Sequence, residues 1–357
     1  MILESPQDNI LQEDLEVIAS SDLDFKLFRD KNILITGATG LVGSQLVKAL
    51  SACNRIHNLN LHILALIRNE KKAEEIYGTL SKRGEIQFVK ADITKPIHID
   101  EKIDYVIHGA AVTISKTMVE KPVETINTAI DGIKNLLELA TEKKVDSMVF
   151  LSSMEMYGSF SEDGRVIEET DLGYVDPLAV RSNYPESKRM SENMCIAYKT
   201  EYDLPVKIAR LSQTFGAGIL PGENRIFAQF ARSVINGKDI VLHTKGQSEG
   251  NYCYTRDTIL GILTILLKGK NGEAYNVCNE ETHIKIADMA KLVVEKIAKD
   301  QIALLFDIPD NNVFGYAQDT KMQLSSAKLR KLGWKPTIGL TEAYTRLIAS
   351  MKVSGLV

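Results

Sequence analysis

Tyr184-Pro185-Glu186-Ser187-Lys188 places a phenol and an ammonium one helical turn apart on the same face. A free tyrosine ionises near pH ~10, too high for a base at neutrality. A lysine close by favours the phenolate, so Tyr184 can take a proton from a hydroxyl as hydride leaves the adjacent carbon. Of the twelve tyrosines only Tyr184 has a lysine four places on, a spacing that alone arises readily by chance. Its setting gives it meaning. Upstream, Phe150-Leu151-Ser152-Ser153-Met154-Glu155-Met156-Tyr157-Gly158 passes from an apolar run into polar residues. A serine outside the carboxyl end of a buried strand can hold a reacting oxygen, or simply cap the next turn.

A second chemical signal is Thr36-Gly37-Ala38-Thr39-Gly40-Leu41-Val42-Gly43, which follows an apolar run and opens a helical one. Glycines there let the backbone approach a pyrophosphate, and the helix start offers free N–H groups and a positive dipole. The spacing is G-x-x-G-x-x-G rather than the commoner G-x-G-x-x-G. A glycine triplet also suits an ordinary turn. Between a buried strand and a helix it marks a dinucleotide site formed by Gly37, Thr39, Gly40, Leu41, Val42 and Gly43.

The end of the second strand bears on the choice of dinucleotide. An acid there binds the ribose hydroxyls of NAD(H), whereas an arginine accommodates the extra phosphate of NADP(H). Here the strand ends Ala65-Leu66-Ile67-Arg68-Asn69, with Lys71 and Lys72 behind it. The missing acid favours NADP(H), although Arg68 is equally placed to stack on the adenine of NAD(H). Asp92, in Ala91-Asp92-Ile93, is placed to bind the adenine edge; its alternative role is a cap.

Alternating strands and helices must position these groups. Short, almost wholly apolar runs at 32–36, 61–67, 86–89, 105–107, 148–151 and 206–209 read as parallel strands buried on both faces. Helical rhythm fills 41–53, 117–143 and 184–202. That alternation predicts right-handed crossovers and a doubly wound parallel sheet over 31–215. Residues 1–30, helical in rhythm from 9 to 30, form an N-terminal extension packed on this domain. After Phe215, glycines and Pro221 mark a long loop, and amphipathic stretches follow at 227–234, 284–299 and 325–331. Residues 216–357 are therefore expected to be mainly a smaller, mixed α/β substrate lobe, with some segments returning to the sheet.

The bulk properties exclude several classes. With 357 residues, 44% of them hydrophobic and 25% charged, the chain suits a folded, two-lobed protein. A formal net charge of -4 gives no general attraction to nucleic acid or anionic membranes. Cys53, Cys195, Cys253 and Cys278 form no C-x-x-C pair and read as reduced, mostly buried thiols. The six histidines lack metal-ligand spacing, so no metal site is expected. No basic-apolar leader or long apolar run is present, which predicts a cytoplasmic protein.

Taken together, Thr36-Gly-x-x-Gly-x-x-Gly43, His108-Gly-Ala-Ala111, Ser152-Ser153-x-x-x-Tyr157-Gly158 and Tyr184-x-x-x-Lys188 resemble the extended short-chain dehydrogenase/reductase superfamily. Within it the chain looks most like the nucleotide-sugar epimerases, dehydratases and decarboxylases. Asn127, Arg210-Leu-Ser-Gln-Thr-Phe-Gly216, Asn224-Arg225, Tyr252-Cys-Tyr-Thr-Arg-Asp257 and Leu332-Gly-Trp-Lys-Pro336 extend the likeness toward the C-terminal end.

The resemblance implies a Rossmann-type fold, NAD(P)(H), a sugar-nucleotide substrate and a homodimer paired through the helices at 117–143 and 184–202. It makes Ser153 the group that binds the substrate oxygen, Tyr184 the acid/base and Lys188 the partner of the nicotinamide ribose. Ile93, Ala110, Ala111 and Asn127 join the cofactor site. Glu155 matches the second base of sugar dehydratases, its alternative being a solvated loop acid. Some positions depart from the pattern. Met154 replaces an acidic proton donor, Gln213 replaces an asparagine near the diphosphate, and Gly250 replaces a phosphate-binding arginine, leaving Arg225 and Arg256 to carry that charge. The implied activity is transient oxidation of a sugar followed by epimerisation, elimination or decarboxylation. The alternatives are an NADPH-dependent ketone reductase and a non-catalytic nucleotide-binding protein on the same fold.

Overall fold

The structure, a computed structural model, describes residues 2–162, 164–309 and 320–355. Seven parallel strands form the central sheet: β1 (Asn32–Thr36), β2 (His62–Ile67), β3 (Ile86–Lys90), β4 (Tyr105–His108), β5 (Ser147–Ser153), β6 (Val206–Leu211) and β7 (Ala274–Val277). Their spatial order is β7-β6-β5-β4-β1-β2-β3, a doubly wound arrangement. Alternation along each strand explains the two covered faces. Ile33 and Ile35 of β1 enter one core, and Leu34 enters the other. Each such residue contributes about 1.5–3 kcal/mol by leaving water.

Eleven α-helices occur among the described residues. On the first face lie α1 (Asn9–Ala19), α2 (Leu41–His57), α3 (Glu70–Tyr77) and α8 (Thr255–Lys268). The second face carries α5 (Pro122–Lys143), preceded by the short α4 (Ser115–Glu120), and α6 (Asn183–Tyr202). A separate core holds the second lobe, where α7 (Ile226–Asn236), α9 (Ile286–Leu292) and α11 (Leu340–Val353) pack around Phe215, Phe227, Tyr252 and Tyr344. The short α10 (Ala327–Arg330) lies beside β7.

Local chemistry accounts for several departures from the sequence expectation. The helix expected over 117–143 breaks at Lys121, because Pro122 disfavours helical backbone before it and starts a new helix at its own position. The N-terminal segment is helical over Asn9–Ala19, capped by Asp8, and resumes as a 3-10 turn at Phe25–Phe28, capped by Asp24. The stretch 284–299 divides into a two-residue strand, α9 and a π-helical turn at Val293–Ile297. Within residues 216–357, where some segments were expected to return to the sheet, α8 covers the sheet and β7 extends its edge beside β6.

Candidate active site

The glycine turn is shaped by close backbone approach. Gly37 has φ of 70°, and a side-chain carbon there would lie 2.7 Å from Gly109. At Gly43 such a carbon would lie 2.2 Å from the carbonyl oxygen of Gly37, so α2 starts directly against the turn. Gly40 precedes α2 without a side-chain cap, leaving the first N–H groups for a ligand. Thr36 Oγ1 lies 2.7 Å from Nδ1 of His108 and accepts from the Ala110 N–H at 3.2 Å, tying β1 to the β4 end. Burial and the charge of Lys188 hold His108 down to about 3, so its ring is neutral. Leu41 packs on the second lobe's core and Val42 on the sheet core, so the turn joins the lobes. These features fit a bound dinucleotide, with Gly37, Thr39, Gly40, Leu41, Val42 and Gly43 as its pyrophosphate cradle.

Arg68 is exposed just past β2. Asp92 is also exposed and closes a turn by accepting from the Thr94 N–H at 3.0 Å and the Thr94 hydroxyl at 2.9 Å. These bonds, aided by the charge of Arg68, hold its carboxyl below the usual range. Ala111 is half-buried after β4. Two other residues of the expected cofactor set have the following surroundings. The Ile93 side chain packs on Gly132 and its carbonyl accepts from Asn135 at 2.8 Å, a core role. Asn127 is exposed on α5, whose inward positions here are Thr125 and Thr128. Helical periodicity turns it away from the buried side.

Beyond the end of β5 the chemical groups converge. Ser153 caps the 3-10 turn Met154–Tyr157, accepting from the Glu155 N–H at 3.2 Å, and it lies close enough to the Tyr184 phenol to favour its ionisation. Lys188 is buried one turn along α6, donating to the Leu151 carbonyl at 2.8 Å, with its ammonium 5.7 Å from the centre of the Tyr184 ring. Burial pushes the Tyr184 phenol up to about 12, and the Glu155 carboxylate adds to that. The Ser153 hydroxyl and the charges of Arg181 and Arg225 pull it down. Burial also draws Lys188 down to about 8, against the charges of Glu192 and Glu155. The cations that pull the phenol down are thus the two arginines, with the Lys188 ammonium 5.7 Å from the ring centre.

On the substrate side, Gln213 is half-buried on the strand Gln213–Phe215. Arg225 sits before α7, 2.7 Å from Glu223, with its charge felt at Tyr184. Arg256 is elsewhere: it is buried, 3.3 Å from Asp14 of α1, and donates to Thr337 at 2.9 Å. Its assignment to the substrate is replaced by a role in holding the N-terminal extension. Sequence spacing had no means of locating Asp14, which lies 242 positions away.

Two groups escaped the sequence reading. Arg181 lies 2.8 Å from Glu155, so that carboxylate is ion-paired rather than merely solvated. Beneath the site, Glu192 accepts from Ser152 at 2.6 Å and pairs with Arg210 at 2.7 Å. Arg210 donates to the Tyr157 hydroxyl at 2.9 Å, which donates to Asn276 at 2.7 Å. Glu192 follows Lys188 by four residues, a same-face spacing that was available in the sequence.

Comparison with known proteins places this geometry. Residues 33–278 match the profile of the NAD dependent epimerase/dehydratase family. The chain is 28% identical over 322 residues to UDP-glucuronic acid decarboxylase 6 of Arabidopsis thaliana, covering 87% of this chain and 85% of that one. It is 26% identical over 327 residues to dTDP-D-glucose 4,6-dehydratase of Bos taurus, covering 89% and 88%. In fold it is similar to UDP-glucuronic acid 4-epimerase from Bacillus cereus, solved in complex with UDP-glucuronic acid and NAD, with a TM-score of 0.73 at 22% identity over 91% of this chain and 100% of that one. None of these three is a simple ketone reductase. A glycine cradle below β1, a serine, tyrosine and lysine converging beyond β5, and a family profile spanning both lead to one conclusion: the chain belongs to the NAD dependent epimerase/dehydratase family.

Proposed function

We propose that this chain modifies a sugar nucleotide by transiently oxidising one sugar hydroxyl to a ketone and later returning the hydride. The supporting observation is the convergence of Ser153, Tyr184, Lys188 and Glu155 beyond the sheet's carboxyl edge. A bound nicotinamide supplies the hydride acceptor and later the donor. Ser153 holds the reacting oxygen. Tyr184 takes the hydroxyl proton and gives it back when the ketone is reduced. Lys188, buried and positively charged at neutral pH, is placed to favour the phenolate and is assigned to the nicotinamide ribose. Glu155 exchanges a proton with a carbon next to the ketone, which supports epimerisation or decarboxylation. Met154, standing in place of an acid, removes a donor for a departing hydroxyl and disfavours dehydration. Gln213 and Arg225 are assigned to the sugar diphosphate.

The finer cofactor choice rests on Arg68. We assign its exposed guanidinium to the adenosine end, where it favours NADP(H) by pairing with a 2′-phosphate and serves NAD(H) by stacking. We also assign a homodimer to the exposed apolar residues Val123 and Ile126 on α5 with Met190 and Ile196 on α6. No helix among the described residues is long and apolar enough to cross a membrane.

The test is to denature the purified protein and identify released dinucleotide by mass spectrometry, with thermal-shift titration of a sugar-nucleotide panel. Retained dinucleotide and stabilisation by one sugar nucleotide are expected. Tyr184→Phe should lower turnover at least about 100-fold with cofactor binding intact. Undiminished turnover in that variant, or stabilisation by NADPH with no response to any sugar nucleotide, overturns the reading.

A further inference from the structure

Arg181 belongs to the 3-10 turn Val180–Ser182 that leads into α6, three residues before Tyr184. Its guanidinium carbon lies 5.6 Å from the centre of the Tyr184 ring, and its Nη2 lies 2.8 Å from Oε2 of Glu155. Glu155 arrives from a different element, the turn that follows β5. The tertiary fold therefore stacks carboxylate, guanidinium and phenol in one place. The side chains of Arg181 and Glu155 are 32% and 37% exposed, so the pair is open to solvent.

This arrangement answers an electrostatic problem. A carboxylate serving as a second base opposes the ionisation of a phenol beside it, because two anions would share one site. The charged groups facing Tyr184 are Glu155 from the turn after β5, Arg181 from the turn before α6, Arg225 from the turn before α7, and Lys188 on α6 itself. Arg225 is exposed and held bidentate by Glu223 at 3.0 and 2.7 Å. Lys188 is committed to the Leu151 carbonyl. Arg181 alone of these cations both pairs with Glu155 and stands over the phenol ring.

We propose that Arg181 is a positioning residue that holds Glu155 by an ion pair and offsets its charge at the Tyr184 phenol, so that the second base can stand beside the acid/base without opposing it. The proposal rests on the reading of Tyr184 as acid/base and Glu155 as second base. Arg181 itself transfers no proton: the hydroxyl proton goes to Tyr184 and the carbon-bound proton to Glu155.

Two measurements test it. With 3-fluorotyrosine placed at position 184, whose phenol ionises at lower pH than tyrosine's, fluorine NMR follows that one group without substrate. Arg181→Met should move the midpoint to higher pH. Arg181→Lys should restore most of the shift, and adding Glu155→Gln to Arg181→Met should move the midpoint back down. An unchanged midpoint in Arg181→Met overturns the proposal. In single turnovers of cofactor-loaded enzyme with its sugar nucleotide, Arg181→Met should slow reduction of the bound nicotinamide about tenfold at pH 7, equivalent to one unit in the phenol. The deficit should shrink as pH rises, with KM changed less than about twofold. A pH-independent loss with a raised KM overturns the charge role and makes Arg181 a substrate contact. If no sugar nucleotide brings about reduction of the bound cofactor in wild-type enzyme, the functional reading fails, and the NMR midpoint still decides for or against Arg181.

Discussion

Glu192 follows Lys188 by one turn of α6, yet its carboxylate turns under the site to bind Arg210 at 2.7 Å, with both side chains 8% exposed. A buried pair of this kind is costly to break from one side, because the partner is left charged without water. Glu192→Ala should therefore lower stability by about 3–5 kcal/mol. The double variant Glu192→Leu, Arg210→Met should regain much of that loss, as read by denaturant melts. A single variant as stable as wild type would show that water reaches the pair.

Gly43 has no room for a side chain, since an added carbon would lie 2.2 Å from the Gly37 carbonyl oxygen. Gly43→Ala must push α2 off the turn. The expected result is loss of dinucleotide binding by calorimetry, with stability lower by about 1–3 kcal/mol. Unchanged binding would place the pyrophosphate elsewhere.

Arg256 and Arg225 should separate cleanly in kinetics. Arg256 is tied to Asp14 and Thr337, so Arg256→Met should lower the melting temperature without changing the KM for a sugar nucleotide. Arg225→Met should raise that KM with little change in melting temperature, because Arg225 is exposed. The reverse pattern would restore Arg256 to the substrate site.

His108 carries a pH-dependent contribution to stability. Its folded value of about 3 lies below the unfolded value of about 6.5, so the unfolded chain binds the extra proton in between. The contribution is complete above pH ~6.5 and is lost progressively as pH falls toward ~3. Denaturant melts from pH 7.5 to 5 should show wild type losing stability relative to His108→Gln as the pH is lowered. A difference that does not vary with pH would mean that His108 binds its proton equally in the folded and unfolded chain.

The chemistry and the order of elements were legible in the chain itself. Apolar runs such as Asn32–Thr36 must be buried on both faces, and a G-x-x-G-x-x-G turn after one of them has few uses other than phosphate binding. The four-residue step from Tyr184 to Lys188 likewise follows from helical geometry. What the sequence determined was local: which segments become strands or helices, and which residues share a face. Tertiary structure decided which separate segments meet. Arg181 meets Glu155 across 26 positions, Glu192 meets Arg210 across 18, and Asp14 meets Arg256 across 242. Such pairings depend on how crossover helices dock on the sheet, which burial over the whole core selects and no local pattern records. For that reason no local pattern ties Arg256 to Asp14, or Arg181 to Glu155 and the tyrosine three residues away.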